Sequence, residues 1–113
     1  MPAHRAINPN AKCPALVDAE ITIFDSNATV LYLADKTGRF LPADTPAARG
    51  EMVSWLMFVA SGIGPYSGQS VHFRHFAPEP KACAVNRYDF EAWRHRRLID
   101  ERLSTRRFML RED

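Results

Sequence analysis

The sequence has no hydrophobic run long enough to cross a membrane and has few cysteines. No apolar run approaches the ~20 residues of a membrane span, and the first ten residues, MPAHRAINPN, lack the apolar core of a signal peptide. The two cysteines, Cys13 and Cys83, form no CxxC pair and lie near no His at ligand spacing. We therefore expect no disulfide framework, no metal site and no membrane partner, and we predict a cytoplasmic protein.

Neither sign of charge is in large excess, since the net charge is only +2. With 113 residues, 46% hydrophobic and 25% charged, the chain has the composition of one globular domain at most. Arginines crowd its last quarter, which is typical of a solvated helix with ion pairs one turn apart. A phosphate-binding face is the alternative, but no aromatic residues alternate with these arginines as in single-strand binders. We expect no nucleic-acid partner.

The first third of the chain reads as strand, strand and helix. The apolar runs at 14–17 and 21–24 are separated by the turn-like DAE, which predicts an antiparallel hairpin. Ser26 is the expected N-cap of the helix that follows, and Gly38 is expected to end it in the left-handed conformation.

The rest of the chain is predicted to be helical. Thr45 followed by Pro46 predicts a helix start, and apolar residues recur behind it at helical spacing. The two glycines and the proline within 62–65 should bend or interrupt this helix. After the APEP segment at 77–80, a second long helix should begin from Lys81.

Two short motifs suggest a ligand site. Asp25 and Ser26 stand where a strand ends and a helix begins, so free backbone N–H groups could hold a carboxylate while Asp25 holds an ammonium group. A simple N-cap beside an acid explains the same residues. Pro14 opens a strand, and in the cis form it would leave the preceding backbone free to pair with a peptide ligand. An edge-strand proline without a ligand is the alternative.

Taken in order, these motifs resemble the glutathione transferase family. The runs INPNAKCPALVD and ITIFDSNATVLYLADKTGRFLPAD are similar to the family's NPxGKVPALVD, E-S-x-A-I and LYLAEK segments. The runs WLMFVASGIGPYSGQSVHFRHFAPE and NRYDFEAWRHRRLIDERL resemble the bacterial nu-class, disulfide-bond reductase branch, with its WQxGGLGPMxGQxHHF and ERY segments. The resemblance covers nearly the whole chain.

The resemblance implies an α+β fold that is mostly helical here. Residues 1–41 would be the last part of a thioredoxin-like domain, a β-hairpin plus helix, and residues 42–113 would be two long helices of the family's all-helical domain. Glutathione would be the substrate that the chain binds, with a small electrophile or a disulfide as second substrate, and the protein would be a homodimer.

The family's glutathione-binding roles fall on five positions. Cys13 would pair its backbone with the cysteinyl part of glutathione, beside the cis-proline Pro14. Asp25 stands for the usual Glu, and Ser26 for the Ser that takes the γ-glutamyl carboxylate. Arg87 matches the Arg of the ERY segment and would approach the ligand from the helical side.

The departures from the family pattern lead to further expectations. The strand, turn and helix that carry the thiol activator are absent, and the chain stops before the family's central helix, so we expect a chain truncated at both ends. No catalytic residue is assigned, and Cys13 is not expected to replace the activator. His95 and Arg96 replace an apolar pair and are expected to be solvated. Activity is expected to be impaired; the alternative is a non-catalytic module that pairs with an intact homologue around Trp55 and Phe58.

Overall fold

The computed structural model of the chain describes residues 2–110. The chain divides into two compact units, Met1–Leu41 and Pro42–Asp113. The first unit contains α1 (Pro2–Ile7), β1 (Ala15–Asp18), β2 (Ile21–Phe24) and α2 (Ser26–Thr37). The second contains α3 (Pro46–Phe58), a π-helical turn (Val59–Ile63), α4 (Gly64–His75) and α5 (Ala82–Leu103). That these units correspond to the family's two domains stays a prediction.

The predicted hairpin is present in the first unit. Strands β1 and β2 are antiparallel, with Ala15 opposite Phe24 and Asp18 opposite Ile21. Pro14 immediately precedes β1, which therefore begins one residue later than predicted. Ala19 in the two-residue turn has φ 53°, in the left-handed region that favours glycine.

Helix α1 lies where the sequence pattern predicts no regular structure. It has six residues, fewer than two full turns, so no apolar periodicity can reveal it. The Asn8 N–H donates to the His4 carbonyl at 2.8 Å and extends the hydrogen bonding past the last turn. This helix leads the chain directly into the loop before β1.

Helix α2 ends as predicted, because Gly38 takes the left-handed conformation with φ 65°. A polar cluster attaches α2 to β1. The Tyr32 hydroxyl donates to Asp18 Oδ2 at 2.6 Å, and the Lys36 ammonium pairs with the same oxygen. The hydrogen bonds from Lys36 and Tyr32 hold the pKa of Asp18 below its usual value.

The second unit begins at the predicted helix start. Thr45 is the N-cap of α3, its Oγ1 accepting from the Ala48 N–H at 3.2 Å, and Pro46 is the first helical residue. None of the helices within residues 2–110 is long and apolar enough to cross a membrane.

The predicted interruption of the first long helix takes the form of a π-helical turn, Val59–Ile63. The Gly64 N–H donates to the Val59 carbonyl, five residues back, as in a π-helix. Pro65 has no N–H with which to continue the α-helical pattern. The widened turn brings Gly62 into the interior of the unit, where it is buried.

His95 lies in the core, so the expectation that it is solvated is wrong. It is 3% exposed, whereas its neighbour Arg96 is exposed as expected. The His95 ring contacts Phe58 and Tyr66, with centroid distances of 5.1 and 5.4 Å. Gly62 leaves the space that the ring fills, since a Cβ there would be 2.6 Å from His95 Nε2.

A second polar cluster joins α4 to α5. The Ser70 hydroxyl donates to Asp89 Oδ1 at 2.6 Å, and Arg74 forms a two-pronged ion pair with the same carboxylate. These hydrogen bonds, the one from Arg74 first, lower the pKa of Asp89. Beside them the rings of Phe73 and Tyr88 stack with centroids 5.4 Å apart.

Residues 104–110 are not helical, which corrects the prediction that the rest of the chain is all helix. The Arg102 Nε and Nη2 donate to the Met109 carbonyl at 2.9 and 2.7 Å. Arg102 also pairs with Glu51 and lies over the Trp55 ring, 5.0 Å from its centroid. Arg102, one of the arginines in the last quarter of the chain, therefore stabilises the fold through contacts within the second unit.

Acid is expected to destabilise the fold below about pH 4.5. The pKa values of Asp18, Asp89 and Glu91 are lowered by their cationic partners, so the stabilisation is complete above their unfolded pKa values. It is lost as pH falls through the lower folded values. Denaturant unfolding measured from pH 7 to pH 3 checks this, and Asp89→Asn should flatten the dependence. Asp35 is exposed and has no ion pair within residues 2–110, so the control Asp35→Asn should leave the pH dependence of unfolding unchanged.

Candidate functional site

The hairpin brings four of the five predicted site residues to one end of the first unit. Ala15 is paired with Phe24, so the residues that precede Ala15 lie at the same end of the hairpin as the residues that follow Phe24. These residues are Cys13 and Pro14 on one side and Asp25 and Ser26 on the other. All four are exposed, and the Cys13–Pro14 peptide bond is cis.

The loop before Cys13 is organised by Asn8, which is 2% exposed. Its Nδ2 donates to the Lys12 carbonyl at 2.6 Å, and its Oδ1 accepts from the Asn10 N–H at 2.9 Å. The Asn8 carbonyl accepts from the Ala11 N–H at 2.9 Å. One side chain thus closes the loop over residues 8–12 and sets the direction in which the backbone enters Cys13.

Ala11 has φ 56°, where the resembling family motif NPxGKVPALVD has glycine. We expect Ala11→Gly to stabilise the first unit by about 0.5–1 kcal/mol. Alanine in the left-handed conformation costs ~1–2 kcal/mol, which glycine avoids, but glycine also raises the conformational entropy of the unfolded chain and so offsets part of the benefit. Hydrogen exchange of the β1 and α2 amides checks this. Ala15→Gly, at an ordinary strand position, should instead destabilise by ~0.5–1 kcal/mol. A loss of protection in Ala11→Gly would contradict the expectation.

Asp25, and not Ser26, is the N-cap of α2, which corrects the sequence prediction. Asp25 has non-helical φ 78° and ψ 135°, and its Oδ1 accepts from the N–H groups of Asn27 and Ala28 at 2.9 and 3.2 Å. A charged carboxylate is a stronger acceptor than a hydroxyl and is favoured by the positive end of the helix dipole. Ser26 is consequently the first helical residue.

The capping geometry leaves polar groups at this end without partners. Asp25 Oδ2, the Ser26 hydroxyl and the Ser26 N–H form no hydrogen bond with any residue in 2–110. The backbone of Cys13 likewise has no hydrogen bond within that range. One acceptor, two donors and an open stretch of backbone are therefore presented to solvent side by side.

Cys13 and Cys83 both carry free, exposed thiols. No group of three or more His, Cys, Asp or Glu side chains within residues 2–110 could hold a metal ion.

Arg87, the fifth predicted site residue, lies on α5 in the second unit. Its Nη1 donates to Glu91 Oε1 at 2.8 Å, and its guanidinium lies over the Tyr66 ring, 5.9 Å from the centroid. Glu91 is 7% exposed and also accepts from Arg94 Nε at 2.9 Å. The hydrogen bond from Arg94, with the charges of both arginines, lowers the pKa of Glu91.

Asn8 and Glu91 are the two organising residues that sequence reasoning missed. Asn8 stands before a proline, which is a recognised turn signal. Glu91 stands four residues after Arg87 and three before Arg94, the spacings at which helical side chains form ion pairs. Neither signal indicates that the side chain is buried.

Comparison with known proteins identifies the family, although no family model matches the chain. The chain is 38% identical over 109 residues to the disulfide-bond oxidoreductase YfcG of Escherichia coli, covering 90% of this chain and 50% of that protein. It is 40% identical over 108 residues to the disulfide-bond oxidoreductase YghU of the same organism, covering 91% of this chain and 37% of that protein.

Solved structures agree with these relatives. The structure of glutathione transferase YghU from Streptococcus pneumoniae, complexed with glutathione, matches with a TM-score of 0.88 and 34% identity, covering 98% of this chain and 44% of that one. A glutathione transferase family member from Pseudomonas fluorescens with two glutathione bound matches with a TM-score of 0.88 and 36% identity, covering 97% and 52%.

The chain belongs to the glutathione transferase family. Within it, the chain falls in the nu-class-like branch of the disulfide-bond oxidoreductases YfcG and YghU. The predicted fold class is confirmed, because the hairpin and helices match part of the transferase fold. The chain spans half or less of the length of these curated relatives.

Proposed function

We propose that the first unit of this chain binds the γ-glutamyl and cysteinyl parts of glutathione, as part of a glutathione-dependent disulfide reductase or transferase. The observation that supports this is the set of unpartnered polar groups at the end of the hairpin. The Ser26 hydroxyl and N–H suit the γ-glutamyl carboxylate, and Asp25 Oδ2 suits the ammonium group. The open backbone at Cys13, beside Pro14, suits the cysteinyl peptide unit.

The capping role of Asp25 is compatible with ligand binding. Only Oδ1 caps the helix, so the carboxylate still has a second oxygen that can face a cation. The two interpretations of the Asp25–Ser26 pair are thus not alternatives, because one carboxylate has enough acceptor capacity for both.

We propose further that the activity is impaired in this chain. A hydroxyl or amide donor near the thiol is what lowers its pKa, and no residue of this chain is assigned that role. The role of Arg87 in glutathione binding also stays a proposal. The second substrate would be a small electrophile or a disulfide, and the cytoplasm stays the proposed location.

Titration of ¹⁵N-labelled protein with glutathione tests the proposal. Amides of residues 13, 15 to 18 and 25 to 28 should shift, and the dipeptide Cys-Gly, which lacks the γ-glutamyl group, should bind more weakly. Ser26→Ala should weaken glutathione binding at least tenfold, since a charge-assisted hydrogen bond contributes ~1.5–3 kcal/mol. Ser54→Ala, at an exposed helical serine, should change nothing. Shifts confined to other residues would sink the proposal.

A non-catalytic interaction module is the second candidate, and one observation favours it. Phe90 and Trp93 lie three residues apart on α5 and are 63% and 66% exposed, so one face of this helix presents two large apolar side chains together. Trp55 and Phe58, named above for such pairing, instead pack edge-to-face with centroids 5.5 Å apart. Sedimentation of the wild type and of Trp93→Ser distinguishes a monomer from a self-associating or homodimeric chain.

A further inference from the structure

Four exposed side chains form a stripe along the last turns of α5. They are Trp93, Arg96, Asp100 and Leu103. Their spacings of three, four and three residues keep them on one side of a helix with 3.6 residues per turn. In the structure all four line the same open groove, together with Arg97 and Ile99. Trp93 and Leu103 are 66% and 41% exposed, so apolar surface faces solvent at both ends of the stripe.

The two charges at the middle of the stripe have no ion partner within residues 2–110. Arg96 lies over the Trp93 ring, 5.6 Å from its centroid, but forms no ion pair in that range. The Asp100 carboxylate accepts no hydrogen bond there. Arg97 and Glu101, by contrast, pair with each other at 2.8 Å. The stripe therefore presents one open cation and one open anion between two apolar side chains.

The order of these groups is complementary to itself when the direction of the helix is reversed. If a second α5 lies antiparallel with its Leu98 opposite this Leu98, Trp93 faces the second copy's Leu103. In the same arrangement Arg96 faces the second copy's Asp100. The pairing has two-fold symmetry, so each contact occurs twice. A parallel pairing would instead set each charge beside its own kind, which is repulsive.

We propose that two copies of this chain associate through the stripe, with their α5 helices antiparallel and an Arg96–Asp100 ion pair on each side of the two-fold axis. The inference rests on the second candidate function, self-association, for which it names the surface and the direction of pairing. It is independent of glutathione binding. The stripe is about 15 Å long, and stable complexes bury ~1,200 Å² or more, so we expect a weak dimer that dissociates on dilution.

Charge reversal at the centre of the stripe tests the surface and the direction together. Arg96→Glu and Asp100→Arg each place like charges opposite one another at two points of the dimer. Each should therefore raise the dimer dissociation constant, measured by sedimentation equilibrium, by about tenfold or more. An equimolar mixture of the two variants should associate about as tightly as the wild type, because both contacts of the mixed dimer join opposite charges. An ion pair within one helix cannot produce this recovery on mixing.

The matched controls are Arg49→Glu and Asp44→Arg, which change the net charge by the same amounts outside α5. Both side chains are exposed and have no ion pair within residues 2–110. Each control should keep the dissociation constant within about twofold of the wild-type value, and mixing the two should bring no gain.

Substitutions at the ends of the stripe test the apolar contacts separately. Trp93→Ser and Leu103→Ser should each raise the dimer dissociation constant about tenfold, because each removes an apolar contact at two points of the dimer. All four stripe positions are exposed, so far-UV circular dichroism of the variants should match that of the wild type.

The outcomes separate this inference from the functions proposed above. A wild type that stays monomeric at every concentration overturns both the self-association and the stripe. A dimer that is unchanged by the stripe substitutions overturns the stripe alone. Charge-reversed variants that pair as well as the wild type, and more tightly when mixed, overturn the antiparallel direction, and weakened variants that do not recover on mixing overturn the ion pairs. None of these results bears on glutathione binding, which the titration measures in the first unit.

Discussion

Gly62→Ala is expected to destabilise the second unit by about 1–3 kcal/mol, the usual cost of overpacking a core. The added Cβ would be 2.6 Å from His95 Nε2 and 2.9 Å from Cδ2. The His95 ring cannot move aside easily, since it is 3% exposed and both ring nitrogens are hydrogen-bonded. Denaturant unfolding followed by tryptophan fluorescence checks this, because Trp55 and Trp93 both lie in the second unit.

Two comparisons make the Gly62 prediction specific. Gly68→Ala, within α4, has no atom within 4 Å of the added Cβ and should stabilise by up to ~1 kcal/mol through helix propensity. His95→Ala alone should be destabilising, but in the double variant with Gly62→Ala the two losses should add to less than their sum. Additive losses would show that the ring and the glycine do not compete for the same space.

The elements that the sequence predicts well are those with a local cause. Gly38 ends α2 because only its own backbone has to adopt the left-handed conformation. Thr45 and Pro46 start α3 because the cap and the fixed φ act within one turn. The hairpin of 14–17 and 21–24 was predictable from two apolar runs and a short turn, and it is displaced by one residue at most.

The wrong predictions concern features that depend on residues far apart in the chain, or on which of two neighbouring residues caps a helix. Ser26 and Asp25 are both good caps, and the sequence alone does not show that the carboxylate takes the position. His95 looks like a solvated residue until the π-helical turn places Gly62 against it. Residues 104–110 leave the helix where Arg102 binds the Met109 carbonyl, a contact between residues that carry no joint signal in the sequence.

The candidate site divides in the same way. Its chemical groups, at Cys13, Pro14, Asp25 and Ser26, follow from the family motifs. Asn8, which closes the loop before Cys13, is recognisable only once its burial and its partners are known. A sequence motif indicates which residues contact the ligand. The residues that orient those groups are identified by the burial of their polar side chains, which the sequence alone does not show.

Asn8→Ala is expected to destabilise the first unit by about 2–3 kcal/mol and to weaken glutathione binding. The substitution removes two hydrogen bonds of a side chain that is 2% exposed, and it leaves the Asn10 N–H without its acceptor. Each buried polar group left unpaired costs ~1–3 kcal/mol. Hydrogen exchange of amides in β1 and α2 measures the loss in this unit independently of the tryptophans.

The matched control is Asn10→Ala, in the same loop and of the same residue type. Asn10 is exposed, and only its backbone N–H takes part in the loop, so removing its side chain should change exchange protection by less than ~0.5 kcal/mol. Asn8→Asp keeps an acceptor for the Asn10 N–H but places a carboxylate oxygen against the Lys12 carbonyl at a position that is 2% exposed. Because a buried charge without a partner is costly, it should destabilise the first unit at least as much as Asn8→Ala does. If Asn8→Ala and Asn10→Ala behaved alike, the loop over residues 8–12 would be held by its backbone, and Asn8 would have no role in directing Cys13 and Pro14.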